Sequence, residues 1–426
     1  MAAKTIQKGL SVILPSLSDI PESAVDLSRW PASLHTSEPN SFAHNTFKRR
    51  IPAIIDEIIA DNAFAPDILA SMQVLRDEII AGSIQALGAA EPDAPFWNAV
   101  SAPHIGQSWL NVPWYWAEAY FYRRVLECTR YFQPAHPWHG VDPYANKKLA
   151  ELRPERAPAA LDSLLSGLPN DQNKCFRHLC YASLWGNRSD LSYNVARTVR
   201  PAANLDDERI HLLIDDSEAV WEYLAARSSR AGSSPTLRLA VITDNAGAEL
   251  LADLALVGFL LQRGIAGQVH LHLKGQPFFV SDATPRDVLD SLTALSQSGP
   301  AAHRLAAALR TDIGRGVLQL RTHWFYSSCL MYYQMPDALR RELAGYDLVI
   351  LKGDANYRRL LGDARWEPTT SFHRIVSYFP APLFALRTLK AELIAGLKLG
   401  QAEQLFQLDP DWRVNGRRGV AQASLP

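Results

Sequence analysis

The chain is 426 residues long, with 43 lysines and arginines against 44 aspartates and glutamates, so its net charge is close to zero. That balance gives no support for a nucleic-acid or acidic-membrane partner and leaves small charged ligands open. Its four cysteines, Cys128, Cys175, Cys180 and Cys329, lack a paired CxxC spacing, which speaks against a disulfide framework or a zinc ribbon and fits a reducing cytoplasm.

The length predicts two units, or one large α/β domain with a helical appendage. Residues 1–45 are rich in Pro, Ser and Asp, with Trp30 and Pro31 docking an otherwise irregular arm, and the start does not read as a secretory signal. From Thr46 the pattern is helical. Ile51, Ile54, Ile55, Ile58 and Ile59 form one apolar stripe, and Leu69, Met72, Leu75 and Ile79 form another. Residues 109–126 are dense in aromatics, with Pro113 placed to open a helix. Trp109, Trp114 and Glu118 could edge a pocket there, although an aromatic core is the favoured reading. A polar connection follows at 134–157, and Asn187 and Asp190 read as turn residues.

From residue 209 strands and helices alternate. Leu212-Leu213-Ile214-Asp215-Asp216 reads as a strand, followed by a helix through Val220, Tyr223 and Leu224. Further strands are expected at 237–243, 268–273, 278–282, 346–351 and 382–386, the fourth running into Lys352-Gly353-Asp354. The most apolar window, Leu250 to Leu261, is broken by Asp253 and too short to span a bilayer. These βα units imply a three-layer α/β/α sandwich with a mostly parallel, Rossmann-like sheet over residues 206–426, plus an N-terminal helical domain over 1–205.

The stretch 241–250 concentrates the chemistry. Leu237, Leu239, Val241 and Ile242 stop at Asp244-Asn245, and Leu250, Leu251, Leu254, Val257 and Leu261 then recur at helical spacing. Such a turn sets a carboxylate and an amide beside free backbone N–H groups that attract anions, although Asn245 could simply be a helix cap. Asp244, Asn245, Asp282 and Asp354 all fall at or past strand ends, where ligands bind in open parallel sheets. They offer hard oxygen ligands and favour Mg²⁺ or Mn²⁺ over zinc. His270 and His272 share one face of a strand and read as packed, hydrogen-bonded histidines. A dianionic phosphate would need cations beyond one divalent ion, and Arg358, Arg387 and Lys390 are available, the last two sharing a face if a helix starts there.

Asp244-Asn245-Ala246-Gly247-Ala248-Glu249-Leu250, the Ser281-Asp282 pair, Lys352-Gly353-Asp354-Ala355-Asn356-Tyr357-Arg358 and Arg387-Thr388-Leu389-Lys390 resemble the successive motifs of the metal-dependent damage-control phosphatases. The branch resembled is the acidic residue methyltransferase-like one with its Arg-Thr-x-Lys motif. Trp185-Gly186-Asn187 and the aromatic stretch from Trp109 extend the resemblance over nearly the whole chain, and Ala355 is a mild departure where a larger aliphatic residue is common.

The resemblance implies a divalent ion, Mn²⁺ first and Mg²⁺, Co²⁺ or Ni²⁺ as alternatives, held at Asp244, Asn245 and Asp282. It implies substrate contacts from Gly353, Asp354, Ala355, Asn356, Tyr357, Arg387 and Lys390, with Asp244 and Asn245 shared, and catalytic roles for Asp244, Asp354 and Lys390. The expected reaction is hydrolysis of a small phosphomonoester such as fructose 1-phosphate, with either water or Asp244 as nucleophile. Two alternatives stand beside it. One is an S-adenosylmethionine-dependent carboxyl methyltransferase, for which Gly314-Arg315-Gly316 is the sole GxG and follows no clear strand. The other is a non-catalytic sugar-phosphate-binding protein.

Overall fold

The computed structural model describes residues 14–19, 25–186, 209–230 and 237–426. One sheet is built from β1 (Leu212–Asp215), β2 (Arg238–Ile242), β3 (Gln268–Leu273), β4 (Leu318–Thr322), β5 (Leu348–Lys352), β6 (Leu383–Thr388) and β7 (Gly419–Ser424). Their order is β1-β7-β6-β5-β2-β3-β4. The five strands from β6 to β4 are mutually parallel, and β7 runs antiparallel to β6 but parallel to β1.

The central strands read as continuous apolar runs because both faces are covered. Leu239, Val241, Leu271 and Ile350 face one core, and Ala240, Ile242, Val349 and Leu351 face the other. The first core is closed by helices Gln172–Trp185, Ala248–Gln262, Pro285–Ser296 and Pro300–Gly314, and the second by Ile51–Asp61, Pro66–Ala81 and Trp114–Cys128. Helices from the first half of the chain therefore contribute to both outer layers of an α/β/α sandwich. The N-terminal arm is held by Trp30, whose ring meets Tyr333 and Trp366 edge-on at centroid distances of 5.2 and 5.1 Å. Trp109 is fully buried, stacked between Phe47 and Trp116, as the core reading expects.

The structure corrects several expectations. Residues 278–282 are not a strand: Asp282 makes only an isolated bridge to Asn245. No helix starts at Arg387, because β6 carries on through Thr388 and the chain beyond it is irregular until Gln401–Leu408. Gly314-Arg315-Gly316 joins a helix to β4, the reverse of the strand-to-helix order that a nucleotide-binding glycine loop needs. Strands β4 and β7 went unread. Gln319 and Arg321 break up one, and small residues fill the other, so neither shows a clear apolar period. Asn187 and Asp190 lie outside the described residues. No described helix is long and apolar enough to cross a membrane.

Candidate active site

Because β2, β5 and β6 are parallel neighbours, their carboxyl ends bring Asp244, Asn245, Gly353, Asp354 and Lys390 to one edge of the sheet. The loop after β3 folds back on that edge by backbone hydrogen bonds, Ala246 N–H to Ser281 O at 2.6 Å and Ala283 N–H to Asp244 O at 2.7 Å. That loop delivers Asp282 beside Asn245 without a strand. Gly353 makes the approach possible. Its φ is +87°, and a Cβ added there would lie 2.0 Å from an Asp244 carboxylate oxygen.

The resulting cavity, of about 140 Å³, is lined by Asp244, Asn245, Asp282, Gly353, Asp354, Ala355 and Lys390 on the sheet side. Trp114, Glu118 and Tyr122 also line it, together with Phe42, Thr46, Arg50, Ile51 and Ile54 of the segment that precedes them. The pocket-edge reading of Trp114 and Glu118 thus holds alongside their burial. Asn356, Tyr357 and Arg387 are not brought to the cavity. Asn356 Nδ2 donates to the Thr243 and Lys352 carbonyls at 3.1 and 2.9 Å, pinning the strand crossover. Tyr357 stacks on Phe372 and donates to Gln422 at 2.9 Å. Arg387 Nε holds Asp354 Oδ1 at 2.7 Å and its other nitrogens donate to the Leu393 and Ala391 carbonyls, so it positions Asp354 and has no hand free for a phosphate. Arg358 is likewise committed, to Asp363 and Glu118, under the face of Trp114. Lys390 is half-buried and its ammonium has no partner among the described residues.

Charge is crowded here. Burial, then Glu249 and Asp282, push the Asp244 carboxyl well above the usual carboxylate range, against the pull of Lys274 and Lys390. Burial also raises Asp282, opposed by Lys274, and lowers the Lys274 ammonium. Lys274 Nζ stands 3.2 Å from Asp282 Oδ2, within ion-pair reach but poorly aligned, since that buried oxygen has no hydrogen-bond partner. Asn245 is oriented on three sides: Nδ2 donates to Asp244 Oδ2 at 2.6 Å and Glu249 Oε2 at 2.9 Å, and Ser281 donates to Oδ1. Glu249 is in turn held by Lys352 at 2.8 Å, and Lys352 also meets Asp253 at 3.0 Å.

The anion position at the start of helix Ala248–Gln262 is not vacant for a phosphate, because Glu151 accepts from Ala248 N–H at 3.3 Å. The sequence motif includes Glu249 without assigning it a role and does not reach Lys274, although both positions carry a signal. Glu249 lies one helical turn beyond Asn245, and Lys274 immediately follows β3, the kind of strand-end position that flagged Asp244.

A model of the damage-control phosphatase ARMT1-like domain matches residues 46–405. The chain belongs to the ARMT1-like damage-control phosphatases. It is 33% identical to damage-control phosphatase ARMT1 of Danio rerio, covering 93% of this chain and 97% of that one. Identity to the Mus musculus and Homo sapiens proteins of the same name is 32% and 30%, covering 93% of this chain and 99% of theirs. A solved DUF89 family protein from Pyrococcus horikoshii aligns with a TM-score of 0.47 at 15% identity, over 89% of this chain and 97% of that one. Membership makes this chain a phosphatase of metabolite repair in a metal-dependent family.

The ARMT1-like residues fit a divalent cation: two buried carboxylates that repel one another, an Asp282 oxygen that Lys274 pairs with by charge but not by a hydrogen bond, and an oriented amide form a hard-oxygen set. A second group, His270, His272 and Glu342, brings potential ligand atoms within 4.8 Å of one another outside the cavity. The Tyr346 hydroxyl is in hydrogen-bond contact with all three, and His272 also meets Tyr326 at 2.9 Å. These are the hydrogen-bonded sheet histidines expected from the sequence, held neutral by burial, which lowers them to about 4 and about 3.

Proposed function

We propose that the chain hydrolyses phosphomonoesters of sugars or closely related metabolites in the cytoplasm, with Asp244, Asn245 and Asp282 holding the ion, Mn²⁺ first among the candidates. The observation that carries this is the placement of Lys390, whose ammonium has no hydrogen-bond or ion-pair partner among the described residues, on the same cavity as that ligand set. An ion bound there supplies Lewis-acid polarisation of the phosphoryl group and charge neutralisation.

The remaining work falls to the protein. Lys390 takes a non-bridging phosphoryl oxygen and the charge that grows on it. Asp354, fixed through Oδ1 by Arg387 and by the Lys390 N–H at 3.2 Å, presents its other oxygen to the attacking water or to a substrate hydroxyl. Lys274 offsets the charge of Asp282 from behind, and Glu249 orients Asn245. Attack by water and attack by Asp244 remain two versions of the same scheme. Free, buried cysteines support a reducing compartment.

The test is phosphate release from chelator-stripped protein given a panel of sugar phosphates, with Mn²⁺, Mg²⁺, Co²⁺ or Ni²⁺ restored singly. Release that needs added metal supports the proposal and identifies ester and ion together. Failure to release phosphate under every combination would overturn it.

A further inference from the structure

The ligand set and Lys390 account for the phosphate, but not for what holds the departing alcohol. The helical segment from Phe42 to Ile54 borders the same cavity, and it is irregular: Thr46–Arg50 form a single π-turn in which the Ile51 N–H bonds to Thr46 O. Turns of this kind inside helices are frequent at functional sites. Here the turn lets Thr46, Arg50, Ile51 and Ile54 all border the cavity. The Thr46 hydroxyl is spent on Phe42 O at 2.9 Å, whereas Arg50 has no hydrogen-bond or ion-pair partner among the described residues.

Glu118 borders the same space from the neighbouring helix. It is 5% exposed, one of its oxygens accepts from Arg358 at 2.6 Å, and the other has no hydrogen-bond partner among the described residues. Arg50 is close enough to Glu118 to oppose the rise in its pKa that burial imposes. An unspent donor and an unspent acceptor, near enough to interact electrostatically, therefore border the same cavity as Lys390.

We propose that Arg50 and Glu118 form the alcohol-side subsite, in which Arg50 donates to and Glu118 accepts from adjacent hydroxyls of a polyhydroxylated leaving group, so that Arg50 selects polyol monophosphates over esters of apolar alcohols. A hydroxyl both donates and accepts, which is what this pair asks of a ligand. The planar guanidinium can reach two vicinal oxygens at once. A second phosphate beside Arg50 would also meet the Glu118 carboxylate, and Arg358 is already committed to Glu118 and Asp363, so the subsite favours a neutral polyol. The assignment rests on the phosphatase reading of the cavity.

The experiment compares fructose 1-phosphate, phenyl phosphate and fructose 1,6-bisphosphate as substrates of the metal-loaded full chain and its R50A, R50K and E118Q variants. Wild-type protein inactive on all three would defeat the phosphatase reading itself, before any variant is made. With an active wild type, R50A should raise KM for fructose 1-phosphate by about 10- to 100-fold, the range of a lost charge-assisted hydrogen bond, and change kcat much less. The ratio of kcat/KM for fructose 1-phosphate over phenyl phosphate should fall at least about tenfold, with R50K intermediate and E118Q lowering the same ratio. Equal losses on the sugar and phenyl esters, or an unchanged ratio, would overturn the subsite. A wild-type preference for the bisphosphate that R50A abolishes would also overturn it, by showing that Arg50 holds a second phosphate. Arg50 is exposed, and a matching thermal midpoint for R50A confirms that the comparison is made on folded protein.

Discussion

Two buried lysines at the carboxyl edge of the sheet, Lys352 and Lys274, sit in opposite electrostatic circumstances. Lys352 ends β5 and meets two carboxylates, Glu249 and Asp253, with the Ser183 carbonyl as a third acceptor at 2.8 Å. Its partners overcome burial and raise its pKa. Lys274 follows β3, donates to the Tyr326 carbonyl at 3.0 Å and, among the described carboxylates, pairs directly with Asp282 alone, with Asp244 a weaker attraction and Arg359 adding repulsion, so burial prevails and its pKa falls. The first cluster is a satisfied clamp that fixes the wall behind Asn245. The second leaves Asp282 and Asp244 short of positive charge, which is the condition of a site built for a further cation.

The largest effect should come from the unsatisfied side. D244A and D282A each remove a proposed ligand and should lower phosphatase turnover by more than about 10³-fold, beyond what a single oxyanion donor is worth. Wild-type turnover in either variant would end the ligand assignment. G353A should be nearly as damaging, since the new methyl group is directed into the Asp244 carboxylate. K352M comes next and acts on folding: it strands Glu249 and Asp253 without a counter-charge and should cost about 3–5 kcal/mol by urea denaturation. K274M should cost less than K352M, and added Mn²⁺ should restore its thermal midpoint, because a bound cation can replace the missing charge beside Asp282 but cannot reach Lys352. Equal metal rescue of the two variants would erase the distinction. E249Q, which keeps the shape of the side chain that orients Asn245, should weaken metal affinity by about 10- to 100-fold in a calorimetric titration.

The fold was legible where burial on both faces left unbroken apolar runs, as at Leu239–Ile242 and Leu348–Leu351. It was not legible in the edge strands, where polar or small residues hide the period. The site was legible where a strand stops abruptly at a carboxylate, which found Asp244 and Asp354. Asp282 was found for a mistaken reason, since backbone hydrogen bonds to a loop bring it into place, not a strand of its own. Arg387 shows the limit most clearly. From sequence it is a cation near a phosphate site, but its direction depends on three acceptors supplied by Asp354 and by carbonyls that follow β6. Arg50 carried no signal, because nothing in a helical stripe of isoleucines announces a π-turn or the cavity beneath it.

The smallest effect is a pH dependence that separates the metal centre from the histidine cluster. Burial raises the folded pKa of Asp244 and Asp282 above the unfolded carboxylate value, so in metal-free protein their contribution favours folding below about pH 4 and is lost as pH rises through the raised values. His270 and His272 act in the other direction. Their folded values, about 4 and about 3, are depressed, so their contribution is full above about pH 6.5 and is lost as pH falls through the folded values. Saturating metal at the cavity should reverse the first dependence, because the carboxylates must be ionised to hold the ion and its stabilisation therefore grows as pH rises, and should leave the second untouched because the histidines lie outside the cavity. Thermal midpoints from pH 3 to 8 with and without Mn²⁺ measure both. Metal stabilisation that persists unchanged in D244A and D282A protein would mean that the ion binds at His270, His272 and Glu342, and would move the metal centre away from the cavity.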